Sequence, residues 1–312
     1  MEQYAVIKSV LKASAGPRNG CVAVVSLVLM VSLFAAGCRS GEVRRSGRYD
    51  EGLVIILPGI EGESRLNRNI AAGLADGGIL SAIEIHDWSA GRFLTWFVNL
   101  AYEPRNRRIA EELASRIVAY QRQHPGKPVY LIGHSGGGGI AVFVLEALPP
   151  GRQVTSAMLL APALSPTYDL RRALRRTRHG IWNFYSEHDV GFLKVGTTIF
   201  GTVDREHASA AGATGFREPP GMGPEGRELY RTRLHQVKYT PRMAKAGHGG
   251  GHTGWASRDF AAQWLAPLLY SQREDPGTAY AGAPAASAPA MGGGGAPANG
   301  AGDTNRRSAE RR

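Results

Sequence analysis

Along the chain, short continuous apolar runs alternate with longer stretches in which apolar residues recur at helical spacing. The runs lie at 53–57 (LVIIL), 81–85, 129–132 (VYLI), 153–160 and 181–185 (IWNFY), and 234–239 (LHQVKY) alternates and reads as a last strand. Runs of this length, rich in β-branched and aromatic residues, predict buried strands. Between them, 64–74, 105–123, 140–148, 168–178 and 257–269 read as helices. The stripe Ile109, Leu113, Ile117, Tyr120 marks the second of these, and Phe260, Trp264, Leu265, Leu268 the last. Ser64 and Ser257 stand where helix N-caps belong. Strands alternating with helices predict an α/β protein: a mainly parallel sheet of about six strands with helices on both faces. Two stretches resist assignment. Residues 191–226 are glycine-rich without periodicity, and 87–104 are crowded with Phe93, Leu94, Trp96, Phe97, Leu100 and Tyr102. The second stretch reads as a cap lining an acyl pocket, as a patch facing a membrane, or as ordinary core packing.

The two ends follow other patterns. Lys8, Lys12 and Arg18 precede an uncharged apolar run at 21–36, which closes on Gly37-Cys38. A basic region, an apolar run and small residues are the plan of an export signal. Ending in Ala35-Ala36-Gly37-Cys38, the segment resembles a bacterial lipoprotein signal, with Ala35 where leucine is commoner. The resemblance implies cleavage before Cys38, lipid chains on that cysteine, and a membrane-anchored protein of the cell envelope. An uncleaved signal anchor and simple secretion are the alternatives. Past Gln272 the chain is Pro, Ala and Gly without periodicity, then Arg306, Arg307, Arg311 and Arg312. Such a composition predicts a disordered tail. The expected organisation is therefore a signal at 1–38, a spacer at 39–51, a folded domain at 52–270 and a tail at 271–312.

Composition narrows the class. The chain has 312 residues, 43% hydrophobic and 20% charged, enough for one sizeable domain with appendages. Its cysteines, Cys21 and Cys38, both lie in the leading segment, so the folded part must hold together without disulfides. The net charge of +11 reads as an arginine-rich solvated surface, with attraction to anionic surfaces as the alternative. No zinc-finger, RRM-type or repeat pattern argues for nucleic acid. No cysteine or histidine spacing argues for a metal site, and no motif calls for a cofactor.

The chemistry concentrates at Gly133-His134-Ser135-Gly136-Gly137, which fits G-x-S-x-G between a predicted strand and a predicted helix. Glycines two residues either side let the backbone turn sharply, and the helix N-terminus behind Ser135 favours developing negative charge. A phosphate-binding loop fits less well, since no Lys-Ser or Lys-Thr follows the glycines. With this context the chain resembles the α/β-hydrolase superfamily, in its esterase and lipase branch, over residues 52–270. The resemblance implies a minimal α/β-hydrolase fold and a serine nucleophile, Ser135. The order Ser, acid, His is also implied, with the acid and the histidine on loops after later strands. Asp189, just past the strand at 181–185, is the expected acid, ahead of Glu187 and Asp169. His252 is the expected base, ahead of His248 in the same glycine-rich loop. The oxyanion donors would be the N–H groups of Gly136 and of Ile60, in the loop Pro58-Gly59-Ile60-Glu61-Gly62. His134 is expected to pack beside the site. The implied activity is hydrolysis of a carboxylic ester, a small molecule or a lipid, through an acyl-enzyme. A peptidase or amidase on the same scaffold, and a catalytically silent envelope binding protein, are the rivals.

Overall fold

A computed structural model describes residues 46–89, 103–189 and 210–273. The expected signal with Cys38, most of the aromatic stretch at 87–104, the first part of 191–226 and the tail from Glu274 lie outside the described residues.

The five apolar runs and the alternating segment form six strands: β1 (Leu53–Leu57), β2 (Ala82–Ile85), β3 (Val129–His134), β4 (Ser156–Leu160), β5 (Ile181–Tyr185) and β6 (Leu234–Lys238). They pair in the order β2-β1-β3-β4-β5-β6, every pair parallel. The central strands β1, β3 and β4 are buried along their whole length, as sheets covered on both faces require. At the margins β2 and β6 are partly exposed, which accounts for the polar positions in Leu234–Lys238.

Helices follow the strands: α1 (Arg65–Asp76), α2 (Glu103–Gln123), α3 (Gly136–Ala147), α4 (Arg171–Leu174), α5 (Ala211–Thr214), α6 (Pro224–Arg233), α7 (Arg258–Phe260) and α8 (Ala266–Ser271). Ser64 caps α1 through a box in which its Oγ accepts from Leu66 N at 3.2 Å and Asn67 Oδ1 accepts from Ser64 N at 2.8 Å. α3 is apolar on all sides and buried from Gly136 to Glu146, packed between sheet and α2.

Three expectations need correction. The basic helix at 168–178 shrinks to the single turn α4, because the Asp169 carboxylate takes the Arg171 N–H at 3.0 Å and the chain past Arg175 turns into β5. The closing helix is interrupted by a π-helical segment, Ala261–Leu265. Pro267 follows it without an N–H to give. Phe260 and Leu265 are buried as expected and Leu269 joins them, while Trp264 and Leu268 lie half-buried against the core. Residues 271–273, assigned to the tail at 271–312, belong to the described fold. Gln272 Oε1 accepts from Ser156 Oγ at 2.5 Å, and Arg273 pairs with Glu51 at 2.9 Å.

Because the sheet is parallel, the loops leaving the strands collect at one end and those approaching them at the other. Ser135 and Asp189 lie at the first end, where open α/β sheets collect their ligands. The 3-10 turn Ser46–Glu51 and Arg273 lie at the second.

Candidate active site

Ser135 sits at the tip of β3 with φ 54° and ψ −121°, a backbone that L-residues rarely hold. The surrounding chain keeps it there. Ser135 N donates to Leu160 O at 2.9 Å, and its carbonyl accepts from Gly138 N and Ala163 N, each at 3.0 Å. The neighbouring glycines are required by space. A Cβ at Gly133 would stand 2.4 Å from Gly137 O, and one at Gly137 would stand 2.2 Å from Leu57 O and 2.3 Å from Pro58 O. The turn thus brings the N-terminus of α3 hard against the end of β1.

That contact places the loop after β1 beside the serine. A Cβ at Gly136 would lie 2.9 Å from Ile60 Cγ2, so the two residues expected to supply oxyanion donors are neighbours. Trp88, 2% exposed, donates from Nε1 to Pro58 O at 2.7 Å, and its own carbonyl accepts from Arg105 at 2.8 Å. A buried indole from the next strand's loop thus ties Pro58 in place. Sequence reasoning missed Trp88, which opens the aromatic-rich stretch at 87–104 with no periodicity to mark it. It missed Glu61 too. That carboxylate folds back over Gly59, with Oε1 3.4 Å from Ser64 Oγ. Although it touches solvent, the protein packed around it pushes its pKa up, against the backbone hydrogen bonds at Glu61 and Gly59 and the charge of His252.

Asp189 and His252 come together. His252 Nδ1 and Asp189 Oδ2 are 2.7 Å apart, with the acid 2% and the histidine 8% exposed. The rival residues fall elsewhere. Glu187 points outward and pairs with Lys238 at 2.7 Å, and Asp169 pairs with Arg171 at 2.6 Å in solvent. His248 is wholly buried, its ring edge-on to Trp255 with centroids 3.9 Å apart and to Phe260 at 5.3 Å. Its Nδ1 accepts from Gly250 N at 3.0 Å, and burial drops its pKa to about 4, which leaves it neutral. It supports the loop from within and makes no contact with Asp189.

The segment carrying His252 is tied down by both its neighbours. His134, immediately before the serine, lies with its Nε2 3.2 Å from His252 O, and the two rings are 4.9 Å apart. Burial, followed by the charge of His252, lowers the pKa of His134 to about 3. A neutral ring facing a carbonyl donates from Nε2–H. From the acid side, Ser186 Oγ donates to Gly250 O at 2.6 Å, and Ser186 O accepts from Asp189 N at 3.0 Å. Ser186 and Trp255 carried no signal in the sequence that would single them out.

The strand order, the strained serine between β3 and α3, and the positions of the acid and histidine loops decide the architecture. The fold is that of the α/β-hydrolase superfamily. Among known proteins, a family described as serine aminopeptidase, S33, matches residues 50–191 of the chain. No curated protein matches it. Solved structures of hydrolase fold are similar at a distance. A lipase/esterase from Lactobacillus plantarum is 13% identical with a TM-score of 0.39, the match covering 75% of this chain and 91% of that one. Est1E from Butyrivibrio proteoclasticus is 14% identical at a TM-score of 0.39, covering 71% and 88%. Lipase B of Aspergillus fumigatus is 13% identical at 0.45, covering 74% and 55%. Within this hydrolase fold, no group of three or more His, Cys, Asp or Glu among the described residues is arranged to hold a metal ion.

Proposed function

We propose that the protein is a serine hydrolase that cleaves carboxylic esters through an acyl-enzyme, held at the cell envelope by lipid on Cys38. In this reading Ser135 attacks the ester carbonyl and His252 takes its proton. Asp189 holds the imidazole in the tautomer that leaves Nε2 able to accept, and stabilises the imidazolium. The N–H groups of Gly136 and Ile60 receive the oxyanion. His252 then returns its proton to the leaving alcohol, and water repeats the sequence to release the acid. The observation that carries the reading is the buried 2.7 Å pair of Asp189 and His252 at the same end of the sheet as the strained Ser135. Such a pair has a cost of desolvation that packing alone does not explain.

A fluorophosphonate probe tests it. Ser135 should be labelled in the natural sequence, and Ser135→Ala, Asp189→Asn and His252→Ala should each lower kcat on p-nitrophenyl esters by roughly 10³-fold or more. Glu187→Gln and His248→Asn should stay within a few-fold. Full turnover in Ser135→Ala would end the hydrolase reading. The family described as a serine aminopeptidase supports a second reading, in which the same residues cleave an amide. Matched ester and anilide substrates separate the two, because amides need protonation of a poorer leaving group by His252. Cleavage of the anilide at a rate close to the ester's would favour the peptidase.

A further inference from the structure

The end of the sheet opposite Ser135 carries its own pattern. The helix ends and turns that approach β3, β4, β5 and β6 hold Arg122, Lys127, Arg152, Arg176, Arg178 and Arg233. Arg122, Lys127 and Arg178 are exposed. Arg122, Lys127 and Arg152 have no carboxylate partner among the described residues. Of the acids at this end, Glu51 pairs with Arg273 at 2.9 Å and Asp76 with Arg258 at 2.5 Å, while Asp50 lies 3.0 Å from His124 Nδ1. At the end bearing Ser135 charges of both signs mix: Glu63 pairs with Arg68 at 3.3 Å, Glu187 with Lys238 at 2.7 Å, and Arg242, Lys245 and Asp87 stand exposed. The excess of cations lies at the opposite end.

The basic end is also where the chain arrives and departs. Ser46–Glu51 and Arg273 meet there, and only residues 39–45 separate Ser46 from Cys38. Fully stretched, seven residues reach about 25 Å. Beyond Arg273 the sequence ends in Arg306, Arg307, Arg311 and Arg312. A short tether alone would let the domain roll. A basic face beside the tether gives it a preferred side, because cations within about 10 Å of anionic headgroups are attracted and those further away are screened.

We propose that this basic face docks on anionic lipid headgroups and holds Ser135 on the side turned away from the membrane. The inference rests on the anchored-hydrolase reading above. It narrows the substrate class to esters that arrive dissolved in water, since the sheet lifts the site about 17–20 Å above the docked face.

The test uses the full, lipid-modified chain bound to vesicles with acceptor dye on the headgroups. One donor dye is attached to Ser135 through a fluorophosphonate. A second preparation carries it on Lys245→Cys, an exposed residue in the turn after β6. Transfer should be about twofold weaker on vesicles containing phosphatidylglycerol than on phosphatidylcholine alone, and the difference should vanish in high salt. The combined change Arg122→Glu, Lys127→Glu, Arg152→Glu should abolish the difference while ester turnover in solution is unchanged. Equal transfer on both vesicles in the natural sequence, or a difference that survives the triple change, overturns the docking. Failure of Ser135 to label strikes the hydrolase reading, while Lys245→Cys still reports orientation. Absence from phosphatidylcholine vesicles strikes the anchor, and the basic face should then still draw the chain to anionic ones. Excess soluble heparin should compete for the same cations and restore the neutral-vesicle value, and a difference that persists in its presence would also overturn the docking.

Discussion

His134 and His248 show how much a single ring can do by holding a loop in place. His134 holds the carbonyl of His252, so its removal should disturb the base and spare substrate binding. His134→Asn lacks the reach of Nε2 and should lower kcat by roughly ten- to a hundredfold at unchanged KM, while His134→Gln, whose amide N–H extends to the same place, should recover most of it. Equal losses in the two variants would mean that the ring only fills space. His248 makes a different prediction, about acid. Its folded pKa, about 4, lies below the ordinary 6.5, so between these values the unfolded chain binds a proton that the folded one refuses. Stability from this group is complete above the ordinary value and falls as pH drops toward 4, by about 1.4 kcal/mol per pH unit. His248→Asn keeps an acceptor for Gly250 N–H and removes the titration. The slope of unfolding free energy against pH, read from denaturant melts between about pH 6 and 4.5, should then shrink by one proton. An unchanged slope would move the acid sensitivity elsewhere. Neither role could be read from the sequence. Two histidines in one glycine-rich loop look alike until β5 and the closing helix bring Asp189 to one and Phe260 to the other.

At the scale of elements, the strands were legible because a parallel core strand must be apolar without interruption, and LVIIL, VYLI and IWNFY are. The helices were less so. The stretch at 168–178 has helical composition, but the Asp169 carboxylate offers the backbone a turn instead. Conversely α6 was missed although Gly223-Pro224-Glu225 opens it and Arg231 and Arg233 close it, the usual charge order for a helix. The glycines around 191–226 masked those signals. The G-x-S-x-G turn was readable because its spacing is dictated by contact. Gly137→Ala tests that dictation. Its new methyl would meet backbone carbonyls of Leu57 and Pro58, which cannot swing aside, and should cost about 2–3 kcal/mol of stability in urea melts. Gly249→Ala, in the histidine loop with nothing near its Cβ, should change stability by less than about 0.5 kcal/mol. Similar effects of the two would remove the steric account of the turn.

For the whole molecule, composition reads 39–51 as spacer and 271–312 as tail, yet Ser46–Glu51 forms a 3-10 turn whose Tyr49 packs on the core, and Gln272 and Arg273 dock by polar side chains that gave no hint of it. Truncation after Arg273 should leave the melting temperature nearly unchanged. Truncation after Ser271 leaves the buried Ser156 hydroxyl without its acceptor and Glu51 without its cation, and should lower stability by about 1–3 kcal/mol. Calorimetry of the two truncated chains distinguishes them, and a loss of stability in the longer one would show that the tail itself contributes.

The three residues of the site enter the chain far apart in time. Ser135 is made first, Asp189 follows, and His252 comes only with the segment that packs Trp255 and Phe260 against Phe184. Synthesis runs from the N-terminus, and long-range pairings form late in parallel sheets. On the reading proposed above, a growing chain therefore carries a serine with no base until its last helix has emerged and docked. Whatever activity Ser135 supports switches on only when the closing helix arrives, so its appearance reports completion of the fold.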